Sequence, residues 1–117
     1  MLKLLLFVLS ASALMPAVCV AQDAHTAHGP AGQLEFQNDR VQVLRMRLGP
    51  REKIPMHSLT ERVIVWLTDA HLRVVKPDGT VLEERHVPGE TSWVAADQHE
   101  GENLGDRTIE FIAVVPK

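Results

Sequence analysis

The sequence predicts an all-β domain, an antiparallel sandwich or barrel, and three observations carry that prediction. Beyond residue 33 the apolar residues recur every second position, the period of a strand with one face buried, rather than at helical spacing. Clusters of Pro, Gly, Asn and Asp punctuate the chain at intervals of about eight to twelve residues, the spacing of short strands joined by turns. No segment after the N-terminal leader shows convincing helical periodicity.

The leader comes first. Lys3 gives a short positive start, Leu4 to Leu14 (LLLFVLSASAL) is an unbroken apolar or small run, and Pro16 breaks any helix before Val20 and Ala21. Cys19 and Ala21 hold the small-residue positions of a cleavage site. Residues 1–21 therefore read as a secretory signal peptide cleaved after Ala21, and the protein as periplasmic or secreted. A membrane anchor is the alternative, but the run falls well short of the roughly 20 residues that span a bilayer. Acylation of Cys19 is another, and Val18 stands before it where a lipidation signal wants a small residue.

Cleavage leaves 96 of 117 residues with a formal charge of −4, since Lys3 goes with the leader, and it removes the single cysteine. A chain near that size buries roughly two-thirds of its unfolded surface, enough for a core without disulfides. Thiol nucleophiles, disulfide redox chemistry and cysteine-based metal sites are thereby excluded. With 12 Lys plus Arg against 15 Asp plus Glu, the chain carries no electrostatic footprint for nucleic acid or an anionic membrane. No membrane partner is expected once the leader is gone.

Residues 22–33 (QDAHTAHGPAGQ) are small and polar, contain Gly29, Pro30 and Gly32, and read as a flexible arm, so the folded domain is expected from Leu34 to Lys117. Val41 to Leu48 alternates Leu44, Met46 and Leu48 on one face with Arg45 and Arg47 on the other, a half-buried strand. Val63 to Leu67 and Leu72 to Val75 are β-branched and apolar, and read as strands near the core. Lys76-Pro77-Asp78-Gly79-Thr80 is a hairpin turn: Pro77 presets its φ, and Gly79 accepts a left-handed conformation. Val81 to Val87 carries Glu83, Glu84 and Arg85, the signature of an edge strand guarded by charge. Val87-Pro88-Gly89-Glu90 turns the chain into Thr91 to Val94. Asn103 to Asp106 is a further turn, before Ile109, Phe111, Ala113 and Val115 alternate along the last strand.

Two segments say more than their composition. Gly49-Pro50-Arg51-Glu52-Lys53-Ile54-Pro55-Met56-His57 ends a strand and delivers a histidine; Gly89-Glu90-Thr91-Ser92-Trp93-Val94-Ala95-Ala96-Asp97-Gln98-His99 delivers another, followed by Glu100-Gly101-Glu102-Asn103. In framework and order this resembles the cupin superfamily across Leu34 to Lys117, or 84 of the 96 residues left by cleavage. The resemblance implies a cupin-like antiparallel barrel, the double-stranded β-helix or jelly roll, with metal ligands hung from facing strands by two motifs. It also suggests a homodimer.

The ligand positions depart from that pattern. Leu59 stands where the family has the second histidine of its first motif, Val63 or Ile64 where the metal carboxylate follows, and Ala95 and Asp97 replace the Pro and Gly of the second motif. A divalent iron, manganese, zinc or copper ion needs three or four donors to compete with water, and His57 and His99 supply two. Glu61 is the candidate third ligand: if the strand continues past Leu59, Glu61 shares its facing with His57. Otherwise His57 and His99 are neutral, hydrogen-bonded barrel histidines.

Met46, Leu59, Trp66 and Trp93 are candidates to line a ligand cavity, or are simply core. His71 and His86 lie beside charged residues and read as solvent-facing, and Arg45 and Arg47 can pair across strands with Glu83, Glu84 or Glu110. In the arm, His25 and His28 form a second, independent metal hypothesis. The mature chain has no Gly-x-Ser-x-Gly turn, no tyrosine and no phosphate-cradling glycine loop, so the sequence gives hydrolase and nucleotide readings no support. The expected function is non-catalytic binding of a small-molecule ligand or a weakly held metal in the barrel. The competing expectations are a metal-dependent dioxygenase or isomerase using His57, His99 and Glu61 with help from Gln98 or His86, and a structural or partner-binding barrel whose interior is filled.

Overall fold

The computed structural model describes residues 32–117. The expected signal peptide, its cleavage site and the His25/His28 pair lie outside the described residues.

Nine strands and no helix make up the described chain: β1 (Gly32–Gln37), β2 (Val41–Leu48), β3 (Lys53–Leu59), β4 (Arg62–Trp66), β5 (Ala70–Val75), β6 (Val81–His86), β7 (Thr91–Val94), β8 (Asp97–Asn103) and β9 (Ile109–Pro116). They form a five-stranded sheet in the order β1-β2-β9-β4-β7 and a four-stranded sheet in the order β3-β8-β5-β6. Every pairing is antiparallel. The all-β expectation holds.

Alternation along the strands supplies the core. Leu44, Met46 and Leu48 of β2 are buried, as the sequence predicts. So are Ile64 and Trp66 of β4, Ala70 and Leu72 of β5, and Ile109, Ala113 and Val115 of β9. Leu48, Ile64, Trp66, Ala70, Leu72 and Ile109 make one cluster across the two sheets, and Leu44, Met46, Ala113 and Val115 a second beneath β1. Burying each large member stabilises the fold by about 1.5–3 kcal/mol relative to exposure. On the opposite face of β2, Arg45 pairs with Glu35 and Glu110, and Arg47 with Glu110. Glu83 and Glu84 instead meet His71 and His86.

The β5–β6 hairpin turns at Gly79, whose φ is +86°, with Lys76 N–H donating to Thr80 O and Asp78 Oδ1 accepting from Thr80 N–H. β6 is an edge strand, as its charges predict. β1 begins at Gly32 and not Leu34: Gly32 and Gln33, assigned to the arm from composition, are paired opposite Met46 and Arg45. Two strands escape the alternation rule altogether. β3 contains Pro55, and β8 (DQHEGEN) is polar with a glycine at its centre. Their partners, not their own patterns, make them strands.

Candidate functional site

The two non-obvious strands build the site. β3 pairs with β8 so that His57 lies directly opposite His99 and Leu59 opposite Asp97. The register slips between Ile54 and His57, a bulge on an edge strand where a proline costs no ladder bond. The Pro55 carbonyl freed there accepts a hydrogen bond from His57 Nδ1–H at 2.7 Å. Across the pair, His99 Nδ1–H donates to Asp97 Oδ2 at 2.8 Å. The rings meet edge to face with centroids 5.4 Å apart. The Pro55 hydrogen bond holds His57 Nδ1 as a donor, so the Nε2 atom of that ring, when uncharged, is an acceptor.

Behind His99 stands a cation absent from the sequence-based candidates. Arg62, 3% exposed, opens β4 and turns inward with Ile64 and Trp66. Its Nη1 donates to Thr60 O at 2.9 Å and lies 3.5 Å from Asp97 Oδ1, an oxygen with no closer hydrogen bond. Burial pushes the Arg62 guanidinium down from its ordinary value, while Asp97 pulls the other way. Burial also pushes the Asp97 carboxyl up, but the hydrogen bond from His99 and the charges of His99 and Arg62 prevail and hold it below the usual carboxylate range. His57 is lowered, first by burial and then by its neighbours His99 and Arg62, with the Pro55 hydrogen bond opposing them. At neutral pH it is an uncharged acceptor.

His57, His99 and Arg62 form part of the lining of a cavity of about 400 Å³. Met46, Leu59, Trp66 and Trp93, the sequence candidates, all line it. Met46, Leu59 and Trp66 are buried, whereas Trp93 is 60% exposed. Ile64, Leu72, Val94 and Phe111 extend the apolar lining, and Glu84, His86 and Ser92 add polar groups.

His86 corrects an expectation. It is not solvent-facing: its ring stacks flat on Trp66, centroids 4.0 Å apart and planes 7° from parallel. Its Nδ1 donates to Glu90 Oε2 at 2.7 Å, and Glu84 Oε2 sits 3.4 Å from Nε2. Alternation along β6 places Glu84 and His86 on one face, a signal present in the sequence but masked by the surrounding charges.

Glu61 is the second correction. β3 ends at Leu59, the chain turns through Thr60 and Glu61, and β4 starts at Arg62, so the strand parity that would carry Glu61 inward stops before reaching it. Glu61 is exposed and does not line the cavity. Gln98 is exposed as well, its Nε2 donating to Ser58 Oγ. Among the described residues no group of three or more His, Cys, Asp or Glu side chains is placed to hold a metal ion. Two imidazoles backed by Leu59, Ile64 and an arginine do not fit a firmly held divalent ion.

No protein-family model and no curated protein matches the chain. Solved structures do. A cupin domain from Bordetella pertussis Tohama I is 22% identical with a TM-score of 0.68, over 74% of this chain and 91% of that one. The polyketide cyclase RemF from Streptomyces resistomycificus is 22% identical with a TM-score of 0.59, over 73% of this chain and 63% of the cyclase. An RmlC-like cupin family protein with a double-stranded β-helix fold from Methanocaldococcus jannaschii is 15% identical with a TM-score of 0.57, over 73% and 77% of the two chains. The expected double-stranded β-helix is thus the fold of the described residues.

Proposed function

From this cupin fold, we propose that the chain is an exported binding protein whose barrel cavity takes one small, largely apolar molecule and does not transform it. The observation that carries the proposal is the cavity itself. About 400 Å³ lies within the range of pockets that enclose small organic ligands, roughly 300–1,000 Å³, and its mostly apolar lining with few polar groups is the usual make-up of such sites. The leader-like residues 1–21 support export. The likeness to a polyketide cyclase supports an organic molecule as occupant, since a related barrel belongs to an enzyme of that name. A filled structural barrel is disfavoured by the open space, and a metal-dependent enzyme by the want of a third donor among the described residues.

Propylbenzene, an apolar probe of fitting size, tests the proposal. Both tryptophans of the protein line the cavity, so their fluorescence reports its occupancy. Titration is expected to perturb that fluorescence and saturate at one molecule per chain. Gly101 also lines the cavity, and a Cβ built on it meets nothing within 4 Å. Gly101→Phe therefore fills the space without backbone strain and is expected to abolish binding. Absence of saturable binding to the wild type, or equal binding to Gly101→Phe, overturns the proposal.

A further inference from the structure

We infer that β6, the free edge of the four-stranded sheet, is where a second copy of this chain docks, antiparallel about a two-fold axis at Glu84. The inference goes beyond the binding function and does not depend on what the cavity holds.

Among the described strands, β1, β7, β3 and β6 end the two sheets. The β1 ladder slips between Leu34 and Phe36, the β3 ladder slips beside Pro55, and β7 is four residues long. β6 pairs with β5 through six consecutive residues with no shift. Its outer backbone follows from that register. Lys76 N–H donates to Thr80 O, so the bonded pairs of the hairpin continue as Val74 with Leu82 and Leu72 with Glu84. The N–H and C=O groups of Val81, Glu83 and Arg85 therefore point away from β5, and no turn or loop bond uses them.

A charged edge repels most strands, yet these charges exempt one partner. With the axis at Glu84, Glu83 lies opposite the partner's Arg85 and Arg85 opposite the partner's Glu83, both as hydrogen-bonded pairs because these residues carry the outward groups. An axis at Glu83 or at Arg85 would set like charges face to face. Of the registers that match outward groups, only the one at Glu84 joins opposite charges. Arg85 is free to take part, since its side chain makes no hydrogen bond or ion pair among the described residues, and Glu83 meets one partner, His71, at 3.2 Å. The same register brings Val81 against the partner's Val87. Val81, Leu82 and Val87 are 56%, 41% and 59% exposed, three of the seven exposed large apolar residues among those described, and pairing covers them. Glu84 alone faces its own kind, and its side chain, 42% exposed, lets the two carboxylates part in water.

Sedimentation velocity of the tag-free protein between about 1 and about 100 μM is expected to show a monomer–dimer equilibrium, the micromolar association of a small edge contact. Arg85→Glu and Glu83→Arg each set like charges opposite in both pairs and are expected to weaken self-association at least about tenfold. Mixed in equal amounts, the two variants are expected to form a heterodimer, in which each pair is again Glu with Arg. A wild type that stays monomeric throughout overturns the inference, as does a dimer that both reversals leave intact. Failure of the mixture to associate, with both variants folded by circular dichroism, also overturns it. Hydrogen exchange on the wild type decides the matter without variants: the amides of Glu83 and Arg85 are expected to be protected at the highest concentration and to exchange freely at the lowest, and equal rates at both overturn the inference.

Discussion

Asp97 ties two parts of the site together: one oxygen accepts from His99 Nδ1–H and the other faces the buried Arg62. Removing it strands a guanidinium that is 3% exposed. Asp97→Ala is expected to lower the unfolding free energy by about 2 kcal/mol or more in denaturant titrations, because breaking a buried pair leaves an uncompensated charge. Asp97 itself is partly exposed, which keeps the effect below the upper range for fully buried pairs. His57 makes a pH prediction. Its folded value lies below the ordinary 6.5, so the unfolded chain binds the proton first as pH falls. Its contribution to stability is fully present above about pH 6.5 and is lost as pH drops from there through the folded value. Unfolding free energies measured across that interval are expected to fall less steeply in His57→Phe than in the wild type; identical slopes would show that His57 is not held neutral by the fold. At this scale the sequence was only half legible. The two histidines stand out by motif, but Arg62 does not, because it begins a run that reads as Val-Ile-Val-Trp core. Its inward aim follows from sharing parity with Ile64 and Trp66.

Elements with a clean period of two were readable: β2 and β7 match their expected bounds, and β4, β5, β6 and β9 agree within two residues. β3 and β8 were not. KIPMHSL carries a proline and DQHEGEN carries almost nothing apolar, and both become strands because each supplies the other's ladder while β5 closes the far side of β8. The departures from pattern are where the site is: the bulge frees the carbonyl that orients His57, and Gly101 keeps the cavity open. The turn between β6 and β7 is also tied to the site. Gly89 has φ +84° and donates its N–H to Trp66 O at 2.8 Å, while Trp66 N–H donates to Glu90 O. Nothing lies within 4 Å of a Cβ placed on Gly89, so the cost of Gly89→Ala is conformational. It is expected to be about 1 kcal/mol, read from the denaturation midpoint at unchanged slope. Asn103 has a larger role. Buried at 1% exposure, its Nδ2 reaches Leu48 O, Gly49 O and Arg107 O, and its Oδ1 accepts from Gly105 N–H. Asn103→Ala leaves several of these groups unpaired in the interior and is expected to cost about 2–4 kcal/mol in the same experiment.

For the molecule as a whole, two sheets enclose a chamber lined by apolar side chains with His57, His99 and Arg62 on one wall, and among the described residues no group of three or more metal donors comes together. Elemental mass spectrometry of the tag-free protein is accordingly expected to find well under one transition-metal ion per chain, with no difference between the wild type and the His57→Ala, His99→Ala double variant. A near-stoichiometric metal lost in the double variant would return the histidines to the role of ligands. The most direct test of the central claim is to locate a bound molecule. In a methyl-labelled NMR titration with propylbenzene, Met46, Leu59, Ile64, Leu72 and Val94 are expected to shift together with one saturating curve. Shifts confined to exposed residues such as Val81 and Val87, or none at all, would contradict a ligand-binding barrel.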